Sequence, residues 1–203
     1  MEYIDSTRPS EGFWEKLGTD LARMHKADTA AFAKSGSYGF DRDNYIGAGY
    51  QKNTGKDSFI EFFAECRLRP QLEMAEKYFE SETVRKSYRL LDTLDKYLIE
   101  PDRPSLLHGD LWSGNFMSDE KGLPMLIDPA AYVGCNEADI AMTELFGGFD
   151  KRFYDSYFDF MGMIPGYADR RELYNLYHLL NHLNLFGSSY LYAVVRTIDI
   201  YSF

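Results

Sequence analysis

The residues best suited to chemistry stand in two short runs, Leu106-Leu107-His108-Gly109-Asp110-Leu111-Trp112-Ser113-Gly114-Asn115 and Leu126-Ile127-Asp128-Pro129. They offer a carboxylate, an amide five residues later, and a second carboxylate at the end of an apolar run. That set is what phosphoryl transfer from ATP requires. One carboxylate accepts the proton of the attacking hydroxyl, while an amide oxygen and a second carboxylate hold the Mg²⁺ that bridges the phosphates. A loop of this length lets Asp110 face the acceptor while Asn115 turns back toward the metal and Asp128. Taken singly, Asp and Asn beside Gly are ordinary turn residues; the combination and its order are what point to catalysis.

The elements around these runs follow from apolar spacing. Trp14, Leu17, Leu21 and Met24 predict an amphipathic helix over 11–27, with Ser10 as its cap. The Gly- and Asn-rich stretch from Ser35 to Lys56 shows no second periodic pattern and reads as an ordered functional loop. Helical spacing resumes over 58–80, where Pro70 must kink or split the helix, and again over 82–99. Short apolar runs at Leu106-Leu107, Phe116-Met117 and Met125-Leu126-Ile127 predict strands, the last two joined as a hairpin through 118–122. Helices then return at 138–146, at 150–161 and from Asp169 onward, with a break near Gly187. The fold class is α+β, mainly helical, around a small β-hairpin at the catalytic loop.

The 203 residues carry a net charge of −10, which disfavours nucleic acid and anionic membranes as partners. No run approaches the ~18 apolar residues of a membrane span, and the polar start is unlike a secretory signal. Cys66 and Cys135, without a CxxC, read as packing residues in a reducing compartment, so a cytoplasmic location is expected.

His-x-Asp-Leu-x-x-x-Asn matches the protein-kinase catalytic loop at each specified position except the Arg, which is Gly109 here. Pro129 follows Asp128, and a helix is expected within about ten residues, which leaves no room for a protein-substrate platform. The pattern resembles the small-molecule branch of that fold, with the aminoglycoside phosphotransferases and choline kinases. Asp43-Asn44-Tyr45-Ile46-Gly47, Arg67-Leu68-Arg69-Pro70-Gln71-Leu72, His108 to Asn115 with Trp112, Ile127-Asp128-Pro129-Ala130, Leu145-Phe146-Gly147-Gly148-Phe149 and Asn184-Leu185-Phe186-Gly187 resemble, in order, segments of the fructosamine kinase (ketosamine-3-kinase) family.

The resemblance implies ATP- and Mg²⁺-dependent phosphorylation of the 3-hydroxyl of sugar-amine adducts, followed by decomposition of the product to release the amine. It makes Asp110 the base and Asn115 with Asp128 the metal ligands. Trp112, two positions from the base, and His182, in the family-like terminal helix, are candidate sugar contacts, with packing the alternative for both. His108 is expected to brace the loop, and Asp139, ahead of Ile140-Ala141-Met142, most simply caps its helix; both are structural to the site. The loop after Gly47 lacks the expected Pro-Gln and tryptophans.

Residues 1–10 resemble the hinge between the family's two lobes, which makes 1–203 a single kinase C-terminal lobe, with catalytic and metal-binding loops at 104–130 and C-terminal helices at 137–203. No Gly-rich phosphate loop and no strand Lys occur in the chain, so the ATP-binding lobe is expected to be absent. Two alternatives stand beside the sugar-amine kinase: a lobe-only protein that binds without catalysis, and another small-molecule kinase of the aminoglycoside or choline type. A surface left bare by a missing lobe also predicts self-association.

Overall fold

The computed structural model describes residues 5–34 and 36–202, so the first four residues of the hinge-like segment lie outside it. Helix α1, Phe13–His25, buries Phe13, Leu17 and Leu21. Together with Phe153 and Tyr157 of α6, Lys151–Met161, they belong to one of the two apolar clusters among the described residues. Ser10 does not cap α1. Gly12, in the left-handed region at φ 79°, precedes the helix. Ser10 instead binds the Gly122 carbonyl through its backbone N–H and its hydroxyl, both at 3.0 Å. The chain thus enters α1 already fastened to the hairpin of the site.

The stretch expected to be an unpatterned loop contains a hairpin, β1 Asn44–Ile46 and β2 Gly49–Gln51. Each strand is three residues long, too short for alternation to register, and the turn needs Gly47 at φ 56°. The helix over 58–80 is interrupted just ahead of Pro70, as expected, by a change of helical type. Helix α2, Phe59–Phe62, capped by Ser58, runs into a π-helical segment, Phe63–Leu68, and on into α3, Arg69–Ala75, with Pro70 in the first turn. The π turn closes with the Arg69 N–H on the Ala64 carbonyl, immediately before the proline, which has no N–H to donate.

The π segment carries Arg67 into the core at 0% exposure, its guanidinium 3.9 Å from the centroid of the Tyr132 ring and 4.6 Å from that of Phe62. It donates to the Lys52 carbonyl at 2.6 Å and to Asn53 Oδ1 at 2.7 Å, tying the β1–β2 hairpin to the helix.

Helix α4, Ser81–Asp92, is shorter than its apolar spacing suggests and ends in a 3₁₀ turn at Leu94–Lys96. Strands β3, Ser105–Leu107, and β6, Tyr132–Gly134, pair antiparallel, and β4, Phe116–Ser118, and β5, Pro124–Leu126, form the expected hairpin. Strand β6 went unanticipated because all three of its residues are buried, so it shows no alternation. Helix α5, Asn136–Leu145, lies against α7, Tyr167–Phe186. Arg170 of α7 makes a two-pronged ion pair with Glu137 of α5, at 2.8 and 2.6 Å, and the Tyr174 hydroxyl donates to the same carboxylate at 3.0 Å. Gly187 ends α7 where a break is expected, and α8, Leu191–Tyr201, follows. No described helix is long and apolar enough to cross a membrane.

Candidate active site

Strand β3 delivers His108 to Asn115 as a tight loop, and its conformation is set from both ends. The backbone N–H groups of His108 and Gly109 donate to Asp139 at 2.7 and 2.8 Å, and His25 Nε2 donates to the same carboxylate at 3.1 Å. Asp139 therefore does not cap α5, whose first turn follows Cys135 without a side-chain cap. It lies inside the helix and reaches across to the His108–Asn115 loop. Burial alone would push its carboxyl up, but the hydrogen bond and imidazole of His25, His108 and the Gly109 N–H outweigh that and hold it below the ordinary aspartate value. His108 braces the next layer: Nε2 donates to the Ile127 carbonyl at 2.9 Å, and Nδ1 accepts the Asp110 N–H at 3.3 Å.

Gly109 explains the departure from the protein-kinase loop. Its φ is +81°, and a Cβ there would stand 2.1 Å from the Ala130 carbonyl oxygen, a backbone atom that cannot rotate away. Gly109→Ala is expected to cost about 2–3 kcal/mol, from a left-handed alanine and a displaced 130 backbone. A urea midpoint at the wild-type value would contradict this geometry.

Asp110 is mostly buried, and burial raises its carboxyl above the usual range, against the pull of the His108 and His182 imidazoles and of the Asn115 hydrogen bond. Asn115, 7% exposed, donates from Nδ2 to the Asp110 carbonyl at 2.8 Å and to its Oδ2 at 3.2 Å. That commitment leaves the amide Oδ1 with no donor among the described residues. The Ile127 N–H donates to the Asn115 carbonyl at 3.0 Å, one step beyond the Phe116↔Leu126 pair of the β4–β5 ladder. Asp128 follows at once, exposed and at φ 51°, the one described non-glycine residue with positive φ. Holding an aspartate there costs on the order of 1–3 kcal/mol, and such strain persists where the surrounding structure enforces it. His108 and Asn115 do so by gripping the two sides of Ile127.

No hydrogen bond or ion pair among the described residues engages the Asp128 carboxylate. No described group of three or more His, Cys, Asp or Glu side chains could hold a metal ion by itself. A carboxylate and an amide oxygen fit Mg²⁺ all the same, since that ion is commonly bound through one or two protein oxygens, with phosphates and water completing its shell.

The β1–β2 hairpin supports the segment after Asp128, through ties that sequence reasoning did not anticipate. Asn44 Nδ2 donates to the Ala131 carbonyl at 2.8 Å, Gln51 Nε2 to that of Ala130 at 3.0 Å, and the Tyr177 hydroxyl to Gln51 Oε1 at 2.7 Å. Asn44 and Arg67 fall within the family-like segments, and that was the available signal for them.

Trp112, 39% exposed, lies against Gly114, where a Cβ would be 2.4 Å from its ring. Phe146 bridges Trp112 to His182, with centroids 6.5 and 5.0 Å away, so the two candidate sugar contacts share one aromatic wall beside Asp110. His182 Nδ1 donates to the His178 carbonyl at 2.8 Å, which directs its other nitrogen away from the helix backbone. A cleft of about 650 Å³ between residues 30–41 and 55–61 shares no lining residue with this site.

Known proteins resemble the chain along most of its length. The sequence profile described as fructosamine kinase matches residues 1–201. The chain is 44% identical over 206 residues to a chloroplastic protein-ribulosamine 3-kinase of Arabidopsis thaliana, covering 99% of this chain and 60% of that protein. It is 42% identical over 195 residues to a probable ketoamine kinase of Synechocystis, covering 94% and 62%. It spans about 60% of the length of the curated relatives it matches. A solved structure from Thermobifida fusca, named "putative fructosamine-3-kinase", superimposes with a TM-score of 0.85 at 36% identity, over 98% of this chain and 68% of that one. A gentamicin complex of an aminoglycoside phosphotransferase, at 15% identity and a TM-score of 0.57, covering 98% and 68%, shares the fold. The fold is thus that of the protein-kinase-like phosphotransferases, and the chain belongs to the fructosamine kinase family.

Proposed function

We propose that this chain is the catalytic, substrate-binding lobe of an ATP-dependent kinase that phosphorylates the 3-hydroxyl of a ketosamine, with the nucleotide's phosphates cradled by residues outside it. The observation that carries this reading is the mutual placement of Asp110, Asn115 and Asp128 on one loop-and-hairpin frame. The names of the relatives, a ribulosamine kinase and a ketoamine kinase, support the acceptor class.

Asp110 is the base. Its buried, raised carboxyl suits it to take a proton from a neutral hydroxyl, and Asn115 fixes its orientation. Asn115 Oδ1 and the Asp128 carboxylate hold Mg²⁺, which, when bound, neutralises charge on the phosphates. Trp112 offers an aromatic face to the sugar, and His182 offers its free nitrogen. The acidic net charge fits a nucleotide that arrives with its metal.

Asp128→Ala is expected to raise the Mg²⁺ concentration for half-maximal turnover by about 10–100-fold, measured by metal titration of ADP release. An unchanged requirement would remove Asp128 from the ligand set. The acceptor assignment is tested by a coupled ADP-release assay on the gene's full product with a fructosyl-lysine, a ribulosyl-lysine, an aminoglycoside and choline. Turnover with the ketosamines alone is expected; turnover with only the aminoglycoside or choline would reassign the substrate class.

A further inference from the structure

His178 is buried in the site and has no part in the mechanism above. It lies on α7 one turn before His182, 4% exposed, and its Nδ1 is wholly buried without a hydrogen-bond partner among the described residues. That nitrogen is 3.9 Å from Asp110 Oδ1, too far for a hydrogen bond in this structure. Asp110 meanwhile receives Asn115 Nδ2 on its other oxygen, at 3.2 Å. One oxygen of the base is held, and the other faces an imidazole nitrogen that bonds to nothing.

An unpartnered buried nitrogen costs about 1–3 kcal/mol, so its retention calls for a reason. Burial, with the neighbouring His182, pushes the His178 pKa down to about 3, so the ring is neutral and carries one N–H. Hydrogen bonds at catalytic groups are often long before substrate binds and tighten in the complex. The helix that carries His178 is anchored to α5 by Arg170–Glu137 and by Asn175 Nδ2 on the Ala141 carbonyl, at 2.9 Å. Because α5 carries Asp139, which holds the catalytic loop, His178 and Asp110 are referred to one rigid frame.

We propose that His178 is a positioning residue for the base: its Nδ1–H closes onto Asp110 Oδ1 when the acceptor is bound, so that Asn115 and His178 together clamp the carboxylate. The inference rests on the reading of Asp110 as the base. It names a different group, one that acts through Asp110 and not on the substrate.

Two substitutions separate this role from packing. In His178→Asn the side-chain amide stands where Nδ1 was and keeps a donor; in His178→Leu the volume is kept and the donor is lost. The Leu variant is expected to lose about 10–100-fold in kcat, the scale of a misplaced catalytic group, with KM for acceptor and ATP within about threefold. It should melt no lower than wild type, since an unsatisfied polar group has been removed. The Asn variant is expected to recover most of kcat. Equal kcat in the two variants, or a loss that appears only in KM, would overturn the proposal.

A second readout needs no turnover. Nitrogen-15 spectra of the labelled full-length protein should show His178 as the Nδ1–H tautomer. An Nε2–H tautomer would leave Nδ1 an acceptor facing a carboxylate and would refute the clamp, whatever the acceptor proves to be. Inactivity of the wild type toward every ketosamine, with the Nδ1–H tautomer present, would count against the substrate reading instead.

Discussion

Asp110→Asn is expected to lower turnover by about 10²–10⁴-fold, the usual share of a positioned general base, while leaving the fold at least as stable as wild type. The two halves of that expectation have one cause. Burial raises the Asp110 carboxyl, so keeping it ionised in the folded protein opposes folding at neutral pH. An amide of the same shape removes that opposition and can still accept from Asn115, but it cannot take a proton from the acceptor hydroxyl. Turnover of the purified variant, beside its urea midpoint at neutral pH, checks both halves. Loss of activity with loss of stability would make Asp110 a structural residue, and unchanged turnover would end its candidacy as the base.

Asp139→Asn is expected to behave in the opposite way, losing stability first and activity as a consequence. Its two oxygens accept from the His108 N–H, the Gly109 N–H and His25 Nε2, all buried. An amide turns an NH₂ toward at least one of these donors, at a cost of about 3 kcal/mol from unmet and opposed buried hydrogen bonds. Denaturant unfolding with an unchanged slope and a lowered midpoint measures it.

The pH dependence carries its own sign. The folded-state pKa of Asp139 is lowered, so its stabilisation is complete above the unfolded value of about 3.9 and is lost as pH falls below that, through the folded value. The groups facing it are His25 from α1 and His108 from the loop after β3. The wild-type advantage over Asp139→Asn should therefore narrow on the acid side of pH 4. An advantage that is constant from neutral pH to pH 2 would contradict the account.

The His108–Asn115 loop and the long helices were legible in the sequence because their signals are local. His108, Asp110 and Asn115 lie within eight residues, and α7 carries Leu173, Leu176, Leu180 and Leu183 at helical spacing. The Gly187 break and the β4–β5 hairpin were legible through turn chemistry. Relations that cross the chain were not. Asp139 looks like a helix cap because acidic residues favour helix starts, and only the packing of α5 against β3 turns its carboxylate toward the loop. Ser10 looks like a cap because a serine hydroxyl can accept a first-turn N–H, until Gly122 draws it away.

Arg67 shows nothing of its burial in sequence, since an Arg in an amphipathic helix ordinarily reaches solvent, as its neighbour Arg69 partly does. Here the π turn and three aromatic rings hold it inside. His178 is harder still. Its meaning lies in a 3.9 Å separation from a residue 68 positions away, which no local pattern encodes.

The most direct test of the central claim locates the phosphate. The gene's full product, supplied with ATP, Mg²⁺ and a fructosyl-lysine, should give a product whose phosphorus-31 signal couples to the proton on C3, and Asp110→Asn should give none within the same time. A phosphate on another hydroxyl, or product formed at the wild-type rate by Asp110→Asn, would contradict it.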